Sequence, residues 1–146
     1  VSEEANAEIS GALSEAELYK ALQGTESGKA PGIDGLPVDW YKAFWAELKE
    51  DLLEVLNESL AEGQLPLSCR RAVLTLLPKK GDLTDIKCWR PVSLLCSGYK
   101  LLSKVLANRL AGVMSGVIHS DQTYCVPGRS IFDNISLVRD LFEVSK

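Results

Sequence analysis

The stretch 76–95 reads LLPKKGDLTDIKCWRPVSLL, in which the ends of two short apolar runs, 72–77 and 91–95, flank a polar connector. Each run has the length of a strand and is bounded by breakers, so the pattern predicts a β-hairpin rather than a helix. Four cations, Lys79, Lys80, Lys87 and Arg90, lie in or beside the connector. Cations held at a hairpin tip can grip phosphates: Lys brings a mobile point charge, and Arg a planar fork that binds two oxygens at once. A charge run also simply faces water, so a solvated tip is the other reading of the same residues.

Around the hairpin the chain reads as helices. Ser14 and Glu17 have capping-box spacing, with Leu13 and Leu18 placed as a hydrophobic staple, which predicts a short helix ending near Gly24. TESGKAPGIDG then interrupts regular structure. Asp34 is the expected cap of the next helix, with Pro37 in its first turn, and apolar residues from Trp40 to Leu60 recur at helical spacing up to Gly63. Ser97 is read as the cap of a third helix carrying Leu101, Leu102, Val105, Leu106 and Leu110. A last helix is predicted from about Ser130 to Val144. The expected fold class is α+β, mainly helical with a small antiparallel β-hairpin or sheet.

Charge is distributed unevenly. Residues 1–62 hold fourteen acids and four bases, whereas residues 63–146 hold six acids and twelve bases. A chain polarised in this way can bind a polyanion with its second half despite a net charge of −4. Apolar stretches are interrupted well before membrane-spanning length, which predicts no transmembrane helix, and the acidic start VSEEANAEIS predicts no secretory signal. The four cysteines, Cys69, Cys88, Cys96 and Cys125, form no CxxC pair and there is one histidine, His119, so no zinc site is expected. Reduced thiols in a nuclear or cytoplasmic protein are expected instead.

Other segments invite chemistry and fall short of it. GTESGKA at 24–30 has three residues between its glycines and Ala30 after Lys29, so it is not a nucleotide-binding P-loop. Gly28, Gly32 and Gly35 would still let backbone N–H groups approach a ligand, with Lys29 adding charge; a plain connecting loop fits equally. Asp34 with Asp39, and Asp82 with Asp85, read as caps and turn residues rather than metal ligands. VPGRSIFDN at 126–134 joins a turn, Arg129 and a helix start at Ser130, which suits either a phosphate site or an ordinary N-cap.

Four segments in this order, GKAPGIDGLPVDWYK, LPLSCRRAVLTLLPKKGD, CWRPVSLLCSGYKLLSKVLANRL and HSDQTYCVPGRSIFDNI, resemble the front part of a reverse transcriptase from a non-LTR (LINE-type) retrotransposon. The resemblance runs from about Leu13 to the C-terminus. It implies residues 1–12 as an N-terminal tail and 13–146 as a partial reverse transcriptase domain, comprising the N-terminal extension and fingers and ending before the palm motifs. It implies nucleotide binding by Lys79, which matches the lysine after the first strand's proline, by Arg90 of the WRP signature, and by Lys80 beside them. Lys29 and Gly32 would lie over the template, and Arg129 and Ser130 near template or primer. Cys88 stands where Asn is usual, and Tyr124–Cys125 where Gly-Phe is usual.

The implied partners are an RNA template, the RNA–DNA hybrid and a dNTP, with the palm or another chain also possible. No cofactor is expected in this chain; Mg2+ would enter with the dNTP. The catalytic aspartates of the palm do not occur here, so the chain alone is not expected to polymerise. The alternative function is a non-enzymatic protein-interaction domain derived from a retrotransposon fragment.

Overall fold

Ser14 and Glu17 cap each other in a computed structural model that describes residues 3–124, 126 and 128–144. The Glu17 N–H donates to Ser14 Oγ (3.3 Å) and the Ser14 N–H to Glu17 Oε2 (3.0 Å), closing the expected capping box. Two orphan donors are satisfied there, and α2 (Glu15–Gln23) follows. Ahead of it, where a tail was expected, Glu3–Ser10 forms α1.

The chain divides into two compact units, residues 12–105 and residues 1–11 with 106–146. The first holds α2, α3 (Val38–Ala43), α4 (Trp45–Glu62), β1 (Ala72–Pro78), β2 (Trp89–Leu95) and the first half of α5 (Ser97–Val117). Its core joins Leu13, Leu18 and Leu22 to Val38, Leu56, Leu101 and Val105. Burying a side chain of this size contributes about 1.5–3 kcal/mol. Asn57 on α4 bridges to the entry of α2, accepting the Leu13 N–H (2.7 Å) and donating to the Leu13 carbonyl (3.2 Å).

Three local expectations are corrected. The helical run from Trp40 to Leu60 is two helices, broken at Phe44, whose φ of −107° and ψ of 27° leave the helical region. Asp34 does not cap α3; its carboxylate accepts the Leu36 N–H (3.3 Å) within a turn, and Pro37 occupies the N-cap without a side-chain bond. Ser97 does not cap α5 either. It is fully buried, so its hydroxyl needs an interior partner and donates to the Leu36 carbonyl (2.7 Å). The Gly63 stop is as expected, with φ 68° ending α4 in the left-handed region.

The second unit holds α1, the remainder of α5 and α6 (Ile131–Val144). Two arginines close helix ends in it. Arg109 donates to the carbonyls of Ile9 (3.2 Å) and Gly11 (2.6 Å) at the end of α1. Arg129 donates to those of Ser115, Ile118 and His119 at the end of α5, and to that of Gln122. Both ease the orphan carbonyls and negative dipole of a helix C-terminus. Among the described residues, no helix is long and apolar enough to cross a membrane.

Candidate nucleotide and nucleic-acid interface

β1 and β2 pair antiparallel from Ala72 opposite Leu95 to Pro78 opposite Trp89, and the Lys79 N–H donates to the Cys88 carbonyl (2.7 Å), carrying the ladder one pair further. Lys79 and Cys88 keep one of the two bonds of a hydrogen-bonded site, since the Cys88 N–H turns back to the Asp85 carbonyl (2.9 Å), and Leu77 and Arg90 fall at such a site two residues along. Side chains alternate across a strand, so Lys79 and Arg90 share one face as diagonal neighbours, about 7–8 Å apart at the backbone. Both are exposed. Pro91 and Pro78 fall at the intervening sites, where an N–H would face outward, so neither removes a ladder bond.

The connector that carries these cations is a set of interlocking turns. Asp82 Oδ1 accepts the Thr84 N–H (2.9 Å) and hydroxyl (2.7 Å), and those bonds hold its carboxyl below the usual range. Asp85 accepts the Lys87 N–H (2.9 Å) and opens a 3-10 turn over Ile86–Cys88. The Trp89 indole N–H donates to the Leu83 carbonyl (2.9 Å). Gly81 has φ 128°, and a Cβ there would meet Cys88 Sγ at 2.8 Å, so this corner requires glycine. Lys79 Nζ lies 3.5 Å from the Lys87 carbonyl, too long for a strong bond. Lys80 and Lys87 are exposed on the same connector, and no ion pair among the described residues claims either of them or Arg90.

The glycine-rich loop is held to the first turn of α5. Gly32 packs on the backbone at Leu95–Cys96, Lys100 Nζ donates to the Ala30 carbonyl (3.3 Å), and Ser97 reaches Leu36. The Gly28 N–H donates to Asp39 Oδ2 (2.8 Å); that bond, with one from Ser27, lowers the Asp39 carboxyl. Lys29 pairs with Glu26 (2.9 Å), both side chains largely exposed. The close approach that Gly32 permits is thus to backbone of the same chain. Nearby, burial and the adjacent Asp34, Cys69 and Cys96 push the Tyr41 phenol up to about 12. Cys69, Cys88 and Cys96 are free thiols.

Arg129 and Ser130 sit where the last turn meets α6. The Arg129 N–H returns to the Val126 carbonyl (3.2 Å) and Gly128 has φ 77°; Cys125 and Pro127 lie outside the described residues. Ser130 is the expected cap of α6: its Oγ accepts the Phe132 N–H (3.3 Å), and its own N–H donates to Asp133 (3.0 Å). The four bonds of Arg129 engage both terminal nitrogens of its guanidinium. Sequence reading missed this use of Arg129 and Arg109, because no local pattern marks which carbonyls an arginine will reach. It also missed a cavity lined by Gln122, Thr123, Tyr124 and Asn134.

No protein-family model matches the chain. It is 53% identical over 130 residues to an uncharacterized 149 kDa protein of transposon TX1 from Xenopus laevis, which covers 89% of this chain and 10% of that protein. It is 32% identical over 94 residues, 64% of this chain and 12% of the relative, to a retrovirus-related Pol polyprotein from the type-1 retrotransposable element R2 of Popillia japonica. A probable RNA-directed DNA polymerase from transposon BS of Drosophila melanogaster is 29% identical over 100 residues, 68% of this chain and 11% of the relative. The chain thus spans about a tenth of the length of the curated relatives it matches.

Proposed function

Because this chain is homologous to a segment of the proteins of non-LTR retrotransposons, we propose that it is the fingers portion of an RNA-directed DNA polymerase. Its hairpin holds the triphosphate of an incoming dNTP between Lys79 and Arg90, while the RNA template and its hybrid with DNA lie alongside. The observation that supports this best is the register that sets the two cations on one face. Lys79 supplies the point charge, Arg90 the bidentate fork, and Lys80 a third charge at the bend. Such a grip orients the nucleotide and stabilises negative charge that builds up as pyrophosphate leaves.

The chain does not polymerise alone in this reading. Two-metal phosphoryl transfer needs carboxylates free to hold both ions. Asp82 and Asp85, the acids of the connector itself, each give one carboxylate oxygen to the amides of their own turns and read as turn residues. Magnesium belongs to the nucleotide, and no step here passes through a metal held by the chain. On the template side, Lys29 offers charge, since an exposed pair with Glu26 is weak and a phosphate can displace it. Gly32 seats the loop that carries Lys29, and in the other unit Arg129 and Ser130 fix the turn into α6 as a separate contact for template or primer.

The test is binding of single-stranded RNA and of RNA–DNA hybrid over a range of salt. The expected result is modest affinity that falls log-linearly as salt rises. Binding without salt dependence would remove the electrostatic basis of the proposal.

A second reading, an interaction domain for another protein, has its own supporting observation. The apolar residues of α6 are exposed, with Phe132 at 72% and Leu141 at 62%. Changing both Lys79 and Arg90 to Ala separates the two. Nucleic-acid affinity falls under the polymerase reading, whereas partner binding survives under the second.

A further inference from the structure

We propose that the cavity at the start of α6 holds one unpaired nucleobase of a single-stranded template, stacked on Tyr124 and read by the amides of Gln122 and Asn134. This rests on the polymerase reading and adds to it which part of the strand is recognised at that place. The cavity measures about 510 Å³, room for a base with its sugar.

Tyr124 is 81% exposed and has no ring partner among the described residues. A ring left this bare contributes little to packing, and its face is the platform on which an unstacked base settles. Asn134 is oriented by its bond from Nδ2 to Thr123 Oγ1 (2.9 Å), and Thr123 is itself 6% exposed and therefore fixed. That bond uses one donor and leaves the Asn134 carbonyl and a second N–H. The Gln122 side-chain amide has no partner among the described residues. Two amides with free donors and acceptors match the hydrogen-bonding edge of a base.

The charges around the cavity argue for a base rather than a phosphate. Arg129 spends its terminal nitrogens on carbonyls. The Asp121 carboxylate accepts from the Ser120 hydroxyl (3.2 Å), its N–H donates to His119 Nδ1 (3.3 Å), and its negative charge repels a phosphate. The amides of Ser130 and Phe132 are already capped by Asp133 and Ser130. Among the described residues no uncommitted cation lines the cavity, whereas a neutral planar group finds a ring, two amides and the apolar side of Ile131.

The experiment titrates the full chain into a short single-stranded RNA carrying 2-aminopurine and follows its fluorescence. Wild type should quench the probe, and Tyr124→Phe should keep both quenching and affinity. Tyr124→Leu should lose the quenching and roughly tenfold in affinity, with far-UV circular dichroism unchanged because the residue is exposed. If Tyr124→Leu binds and quenches like wild type, the inference is overturned while the Lys79–Arg90 proposal stands. If the wild-type chain binds no RNA, both fall. Wild type that binds RNA without quenching, and binds a peptide in this cavity instead, also overturns it.

Discussion

Gly32 rests directly on the backbone of Cys96: a Cβ at residue 32 would come within 2.5 Å of the Cys96 nitrogen and 2.7 Å of its Cα. The loop cannot be lifted off by rotating a side chain, because the obstacle is main chain. Cys96 lies between the last residue of β2 and the first of α5, so this contact fixes the loop against the base of the strand that carries Arg90.

Gly32→Ala should therefore lower stability by roughly 2 kcal/mol or more, through strain with no side chain able to yield. Gly28→Ala meets open space and carries only the penalty of its φ of 71°, about 1–2 kcal/mol. Urea midpoints of the two variants measure this. A Gly32→Ala midpoint at or above that of Gly28→Ala would show that the loop is not seated as described.

The second arginine cap gives a different expectation. Removing the Arg129 guanidinium strips four carbonyls of their donor, and Arg129→Ala should cost about 1–3 kcal/mol. Arg129→Lys should recover little, since one ammonium cannot reproduce a fork reaching Ser115, Ile118, His119 and Gln122. Thermal unfolding followed by circular dichroism checks both. Full rescue by Lys would mean that charge, not geometry, is what this site needs.

Asp39 makes the loop sensitive to acid. The Gly28 N–H, then the Ser27 side chain, holds its carboxyl below the usual value of 3.8. A carboxylate with a lowered folded value stabilises fully above its unfolded value. That contribution fades as pH falls through about 4 and is lost below the lowered folded value. The Gly28 amide resonance should shift across that window in wild type and stay flat in Asp39→Ala. A titrating Gly28 signal in the variant would assign the effect elsewhere.

Local chemistry was legible wherever one residue answers to its neighbours in sequence. The Ser14–Glu17 box, the Gly63 stop, the Ser130 cap and the two strands all follow from short-range rules. Legibility failed where the partner is distant. The Ser97 hydroxyl goes to Leu36, and Arg109 to Ile9 and Gly11, across separations that no periodicity encodes. Phe44 breaks a helix without Gly or Pro, so no breaker residue in the sequence marks the position. At the hairpin, the cations were visible as a cluster. That Lys79 and Arg90 share a face needed the register, because a slip of one residue would have set them on opposite sides.

Equilibrium binding of a deoxynucleoside triphosphate to the wild-type chain, beside Lys79→Ala, Arg90→Ala and the double variant, bears most directly on the polymerase proposal. Wild type should bind weakly and lose affinity as salt rises. Each single change should weaken binding, and the double change should abolish it while the far-UV spectrum stays the same. Equal affinity in wild type and double variant would contradict the cationic grip and, with it, the fingers assignment.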